Sequence, residues 1–203
     1  MEFREILRHR RMVRAYTDEP VPRETVERVV ATVRRAPSGG FSQGQRLLVV
    51  TDPETRQAIA ELAGEPEYVA RGFEPWVSRA PVHVVVCTRE EDYHERYHRP
   101  DKLREGEEIE WPVPYWYVDA GAALMLVLLA AIDEGLGAGV FGVLAPEVPK
   151  LKELLGIPAD VHFVGIVTLG HPAPDPRWSE GSSRLTQARR RLDELVRWER
   201  WGG

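Results

Sequence analysis

From Ala120 to Ile132 the chain reads AGAALMLVLLAAI, a run without one polar side chain, bounded by Asp119 and Asp133. Gly135 follows as a stop, and the spacing predicts a helix over roughly 117–135 that is apolar on every side. Such a helix has no face to offer water. It must be covered all round, either by a large core of its own chain or by a second copy of it. A membrane would also cover it, but a span needs about 20 apolar residues and this run is shorter.

The rest of the sequence has the means to cover at least one side. Its 203 residues are 43% hydrophobic and 29% charged, which suits one globular domain with a full core. The opening MEFREILRHRR is charged every few residues and has no apolar stretch of signal-peptide length, so a cytoplasmic protein is expected. Cys87 is the sole cysteine, which rules out an intrachain disulfide and a thiolate metal site.

Helical spacing predicts a short helix at 2–11 and an amphipathic one at 22–36, whose Val26, Val29, Val30 and Val33 form one stripe. A small-residue loop (36–45) precedes a buried strand at 46–52. Pro53 and Gly64 bracket another helix, and VHVVVCT (82–88) reads as a second strand. Residues 89–117 are polar and aromatic without an apolar period, and are expected to form an excursion or lid. A helix at 146–157, a strand at 161–170 and a basic C-terminal helix complete a single α+β domain over 1–203.

Three motifs carry possible chemistry. GAGVFG (137–142) matches a dinucleotide fingerprint in letters, yet it follows a helix instead of a strand, and reads as a helix-to-strand turn with room for a ligand to approach its backbone. His94 and His98 stand at metal-ligand spacing, but no third ligand is in view and their neighbours are solvated charges, so no metal is expected. Arg8, Arg10, Arg11 and Arg14 fall within seven residues of a chain whose net charge is -5. Nucleic-acid binding normally accompanies a basic domain and is not expected here. A compact anion held by one or two guanidinium groups suits the balance better.

RRMVRAYTDEPVPRETVERVVATVRRAPSGGFSQGQ, then DAGAALMLVLLAAIDEGLGAGVFG, then VGIVTLGHP and a late Ser-Arg-Leu together resemble the FMN-dependent nitroreductase superfamily. The resemblance implies an α+β fold with a mixed central sheet flanked by helices, in an intertwined homodimer with FMN at the interface. It also implies NADPH or NADH as electron donor and a small, flat aromatic acceptor. Carried over by position, Arg10 and Arg184 hold the FMN phosphate, Arg11 and Met12 line the same pocket, and Arg14 sits at the pyrimidine end of the flavin. Pro37, Ser38, Gly39 and Gly40 reach the flavin from the partner subunit, and Gly142 and Val143 present backbone near N5. On that reading the flavin carries the chemistry and no side chain need be an acid or base. Arg14, permanently charged, stabilises the negative charge that reduced flavin spreads over N1 and the C2 carbonyl.

This chain departs from the family in two places. Many relatives have Asn-x-Gln-Pro-Trp after the Ala-Pro-Ser loop, where this sequence has Phe41, Ser42, Gln43, Gly44 and Gln45. The mid-chain Asn that often meets the flavin has no counterpart in RGFEPW. Phe41, Trp111, Tyr115 and Trp116 are candidates to stack on an acceptor or nicotinamide; packing of the lid against the core is the competing role. A flavin-destroying 5,6-dimethylbenzimidazole synthase has an acid where this chain has Met12, and the lid set of iodotyrosine deiodinase is not recognisable. Flavin storage or sensing without turnover is the alternative of a different class.

Overall fold

A computed structural model describes residues 1–174 and 189–201. The elements in chain order are α1 (Phe3–His9), α2 (Arg23–Ala31), β1 (Gln45–Val50), α3 (Pro53–Leu62), α4 (Glu65–Ala70), β2 (Val82–Arg89), α5 (Glu91–Tyr97), α6 (Tyr115–Asp133), β3 (Gly137–Phe141), α7 (Val148–Leu155) and β4 (Val161–Gly170). Short 3-10 turns at Thr32–Arg35 and Gly39–Phe41 lead from α2 into β1.

The strands form one sheet in the order β1-β2-β4-β3. Every pairing in it is antiparallel among the described residues, which corrects the mixed sheet expected above. The reason is in the connections: α3 and α4 return the chain to the end of the sheet where β1 finished, so β2 runs back along its neighbour. β2 and β4 lie in the middle with helices on both faces. Val84 and Val86 of β2 join Val167 and Leu169 of β4 against Val26, Val29, Ala123 and Val127 of α2 and α6. Val85, Cys87 and Ile166 point the other way, onto Ile59 of α3 and Leu151 of α7. Burial on both sides is why β2 reads as a largely apolar run, unbroken from Val84 to Cys87.

β1 corrects a second expectation. It is a strand but not a buried one, because it lies at the sheet's edge and leaves Leu48 and Val49 exposed. GAGVFG is a third correction: residues 137–141 are the other edge strand, not a turn. The basic C-terminal helix falls partly outside the described residues; within them, only Leu192–Leu195 is helical, and Val196 returns to extended backbone.

α6 packs one stripe on the sheet, with Ala120, Ala123, Val127, Leu128 and Ala131 buried. Its far side is bare. Val118 is 56% and Met125 44% exposed, and Gly121 between them is exposed as well. The helix is long and apolar enough to pass for a membrane span, at 19 residues with mean hydropathy 1.8, yet its small-residue stripe belongs to a protein core.

Two titratable groups are sealed in this core. Burial pushes the Cys87 thiol up to about 11. His83 is wholly buried on β2, its Nε2 2.8 Å from the Val77 carbonyl, and burial lowers its pKa to about 4. The unfolded chain, with an ordinary histidine near ~6.5, then binds more protons between the two values. Stability present above pH ~6.5 is therefore lost as the pH falls toward 4, by about 3 kcal/mol from this group. Urea midpoints measured at pH 7 and pH ~4.5 are expected to separate clearly in the parent and much less in His83→Gln.

Candidate functional site

After α1 the chain becomes extended and is laid along β3. Val13 N–H donates to the Ala138 carbonyl at 2.9 Å, Thr17 N–H to His171 O at 2.9 Å, and Ala173 N–H to Ala15 O at 3.0 Å. The Tyr16 hydroxyl lies 2.6 Å from Thr168 Oγ1, deep in the structure, and burial raises its pKa, keeping the phenol protonated. Gly139 makes this approach possible, since a Cβ there would lie 2.5 Å from the Val13 carbonyl oxygen. Gly139 thus serves a backbone contact within the chain, and Gly137 makes room for the Val13 side chain.

This fastening fixes where the arginines go. Arg14 lines a pocket of about 260 Å³ together with Glu65, Tyr68, Glu74, Trp76 and Gly142. Its guanidinium carbon stands 5.8 Å from the centroid of the Trp76 ring, which in turn meets Phe141 edge-on at 5.7 Å. Trp76 is held from behind. Glu65, only 6% exposed, accepts the backbone N–H groups of Trp76 at 2.7 Å, Val77 at 2.6 Å and Ser78 at 3.2 Å. A Cβ on Gly142 would meet nothing within 4 Å, so its backbone faces open space. The larger groove beyond, about 810 Å³, shares Ala63, Tyr68 and Gly142 with the pocket.

The remaining expected residues divide into groups. Arg10 is partly buried and Arg11 exposed, and neither guanidinium has an ion pair or hydrogen bond among the described residues. Met12 packs against the main core and Val143 against the core on the other face of the sheet. Arg184 lies outside the described residues. Pro37, Ser38, Gly39 and Gly40 are not among the residues lining either pocket. Their loop is tied instead to α5 and α6: Gly39 N–H donates to Asp119 Oδ2 at 2.8 Å, and Arg96 Nε–H to the Gly40 carbonyl at 2.8 Å.

Of the expected acceptor-stacking residues, three sit together. Trp111 meets Tyr97 at 4.5 Å between centroids, Tyr115 at 6.0 Å and Trp116 at 6.1 Å, with buried Tyr93 beside them. Trp111 and Trp116 take part in packing that joins the 89–117 segment to the body of the protein. Glu108 accepts from Trp111 Nε1 at 2.6 Å and lies 2.7 Å from His94 Nδ1, while His98 Nδ1 is 3.5 Å from the same carboxylate. Burial works against the His94 cation, but Glu108 and Glu90 outweigh it and raise its pKa. The histidine spacing that suggested a metal face serves this carboxylate. Sequence reasoning passed over Glu65 and Trp76 altogether, and the only signal for them was a Glu-Pro at a helix start and a Pro-Trp ahead of a strand.

A family model described as the nitroreductase family matches residues 7–171. The chain belongs to that family. Among its nitroreductase relatives is an FMN reductase (NAD(P)H) of Bacillus subtilis, 33% identical over 170 residues, covering 80% of this chain and 63% of its own length. Another is an oxygen-insensitive NADPH nitroreductase of Salmonella typhimurium, 30% identical over 175 residues, covering 85% of this chain and 66% of its own. The chain therefore spans just under two thirds of these relatives. An NADPH:FMN oxidoreductase of Vibrio harveyi, solved in complex with NAD+, superposes with a TM-score of 0.73 at 24% identity, over 98% of this chain and 77% of that one. That likeness shows the nitroreductase fold.

Proposed function

We propose that this nitroreductase-family chain is an FMN-dependent oxidoreductase that takes electrons from NADPH or NADH and passes them, in two half-reactions, to a flat acceptor such as a nitroaromatic or a quinone. The observation that supports the reading is that Arg14, a permanent cation, and Gly142, whose backbone carries no side chain to block a ligand, line the same small pocket. The residues present fit FMN. Arg10 is an uncommitted cation suited to its phosphate, with Arg184 as the expected second, and Arg11, likewise uncommitted, is suited to line the same pocket. Gly142 lets main chain approach a ring, with Val143 next to it.

When bound, FMN supplies the hydride chemistry itself. The protein's own part is position and charge. The Val13–Ala138 pairing fixes the backbone that carries Arg14, and Trp76, held by Glu65, walls the pocket beneath its guanidinium. A fixed cation at the electron-rich end of a flavin favours the reduced form.

Two copies complete the site on this reading. The bare stripe of α6 at Val118, Gly121 and Met125, and the exposed Leu48 and Val49 of β1, are apolar surfaces that a second copy would cover. Pro37, Ser38, Gly39 and Gly40 would then reach the flavin of the other subunit. The purified protein is expected to be yellow, to sediment at twice 23.0 kDa, and to lose its visible flavin absorbance when NADPH or NADH is added without oxygen. A yellow dimer that neither nicotinamide bleaches is a flavin-binding protein without turnover, and a colourless monomer with no flavin affinity overturns the proposal.

A further inference from the structure

Between Ser38 and Gly44 the backbone enters the left-handed region three times, at Gly40 (φ 58), Phe41 (φ 62) and Gln43 (φ 55). Gly40 is suited to its place: a Cβ there would lie 2.6 Å from the Tyr97 ring. Phe41 is not. Left-handed backbone disfavours any Cβ and tolerates asparagine best among the non-glycine residues, so a bulky aromatic side chain there is a marker of function.

The conformation is not that of a loose loop. Gly39 N–H donates to Asp119 at 2.8 Å, Gln43 N–H to Ser38 Oγ at 3.0 Å, and the Ser42 hydroxyl to Gly39 O at 2.6 Å. Arg96, which donates to the Gly40 carbonyl, is itself gripped by Asp101 through two bonds of 2.9 and 2.7 Å. Each restraint acts on backbone or on another side chain. The Phe41 ring touches no other ring among the described residues and is 73% exposed. A rigid loop therefore holds a bare aromatic ring in a conformation that its residue type resists.

We infer that Phe41 is a specificity-determining residue, which stacks on the flat aromatic ring of the electron acceptor in the second copy's flavin site. The inference rests on the dimeric flavoenzyme reading above, in which this loop crosses to the partner. It narrows the acceptor to planar aromatic compounds, because a stacking platform gives little to a compact, non-planar oxidant.

Titration of the oxidised, FMN-loaded dimer with 4-nitrobenzoate, read from the perturbed flavin spectrum, tests it in the parent, Phe41→Asn and Phe41→Tyr. Phe41→Asn suits the left-handed backbone, so it is expected to melt no lower than the parent and to keep both the dimer and the FMN affinity. It is expected to bind 4-nitrobenzoate about tenfold more weakly, with a similar rise in KM for menadione, and Phe41→Tyr to restore both. Unchanged 4-nitrobenzoate affinity in Phe41→Asn overturns the inference. So does dissociation of its dimer, which would make the ring an interface anchor, or a lowered melting temperature, which would make it part of the packing. A parent chain that takes up no FMN overturns the earlier reading and this one with it, and absence of colour tells that failure apart.

Discussion

Replacing Glu65 with alanine is expected to lower the melting temperature by on the order of 10 °C. The carboxylate starts α4, is almost sealed from water, and accepts the N–H groups of Trp76, Val77 and Ser78. Each buried donor left without a partner costs about 1–3 kcal/mol. With some of the three rehydrated, the total is about 4 kcal/mol, at roughly 2–4 °C for each. Glu65→Gln keeps an acceptor oxygen and gives up the charge, so it is expected to lose about a third as much. Thermal melts followed by circular dichroism measure both. A shift in Glu65→Ala within about 2 °C would show that the 76–78 turn stands without it. The same variants bear on the proposed cofactor, because the turn carries the ring under Arg14.

Asp119→Leu is expected to cost about 3 kcal/mol and to free the 38–44 loop. One buried oxygen, Oδ2, takes both the Gly39 N–H at 2.8 Å and the Tyr93 hydroxyl at 2.7 Å, joining α6 to the loop and to α5. Burial, reinforced by Asp119, raises the Tyr93 pKa, so that the phenol remains a donor through the neutral range. Leucine fills the space and orphans both donors. Urea unfolding reads the loss, and amide exchange at 39–43 is expected to quicken about tenfold or more, since local opening no longer breaks that bond. Adding Tyr93→Phe to Asp119→Leu removes one orphan and is expected to recover about 1 kcal/mol. No recovery in the double variant would mean that Tyr93 finds another partner.

The core was legible in the sequence wherever one residue pattern had one solution. The valines of α2, the apolar run of β2 and the stop at Gly135 each dictated a local structure that the fold kept. What pattern alone misread depended on neighbours distant in sequence. β1 looks buried because Leu48 and Val49 are apolar, and only its place at the sheet's edge exposes them. The glycines at 137 and 139 carry no sign that Val13 lies against them. For the candidate site, Arg14 and Gly142 were found through resemblance, and the structure brings them onto one pocket. Glu65 and Trp76 were invisible because their roles come from hydrogen bonds and stacking across a turn, which leave no periodicity.

Cys87 has a practical consequence. It is the chain's sole cysteine, 3% exposed on a central strand, with a thiol that ionises only near pH 11. Burial holds the thiol well above its ordinary pKa, so the reactive thiolate is scarce at neutral pH, and the sulfur is shut inside the sheet. The folded protein thus behaves toward maleimides as though it had no cysteine. A thiol introduced anywhere on its surface can carry a spin label or a fluorophore alone, with no prior substitution to clear the background. Distances between two thiols introduced in this way are then readable on the unaltered core.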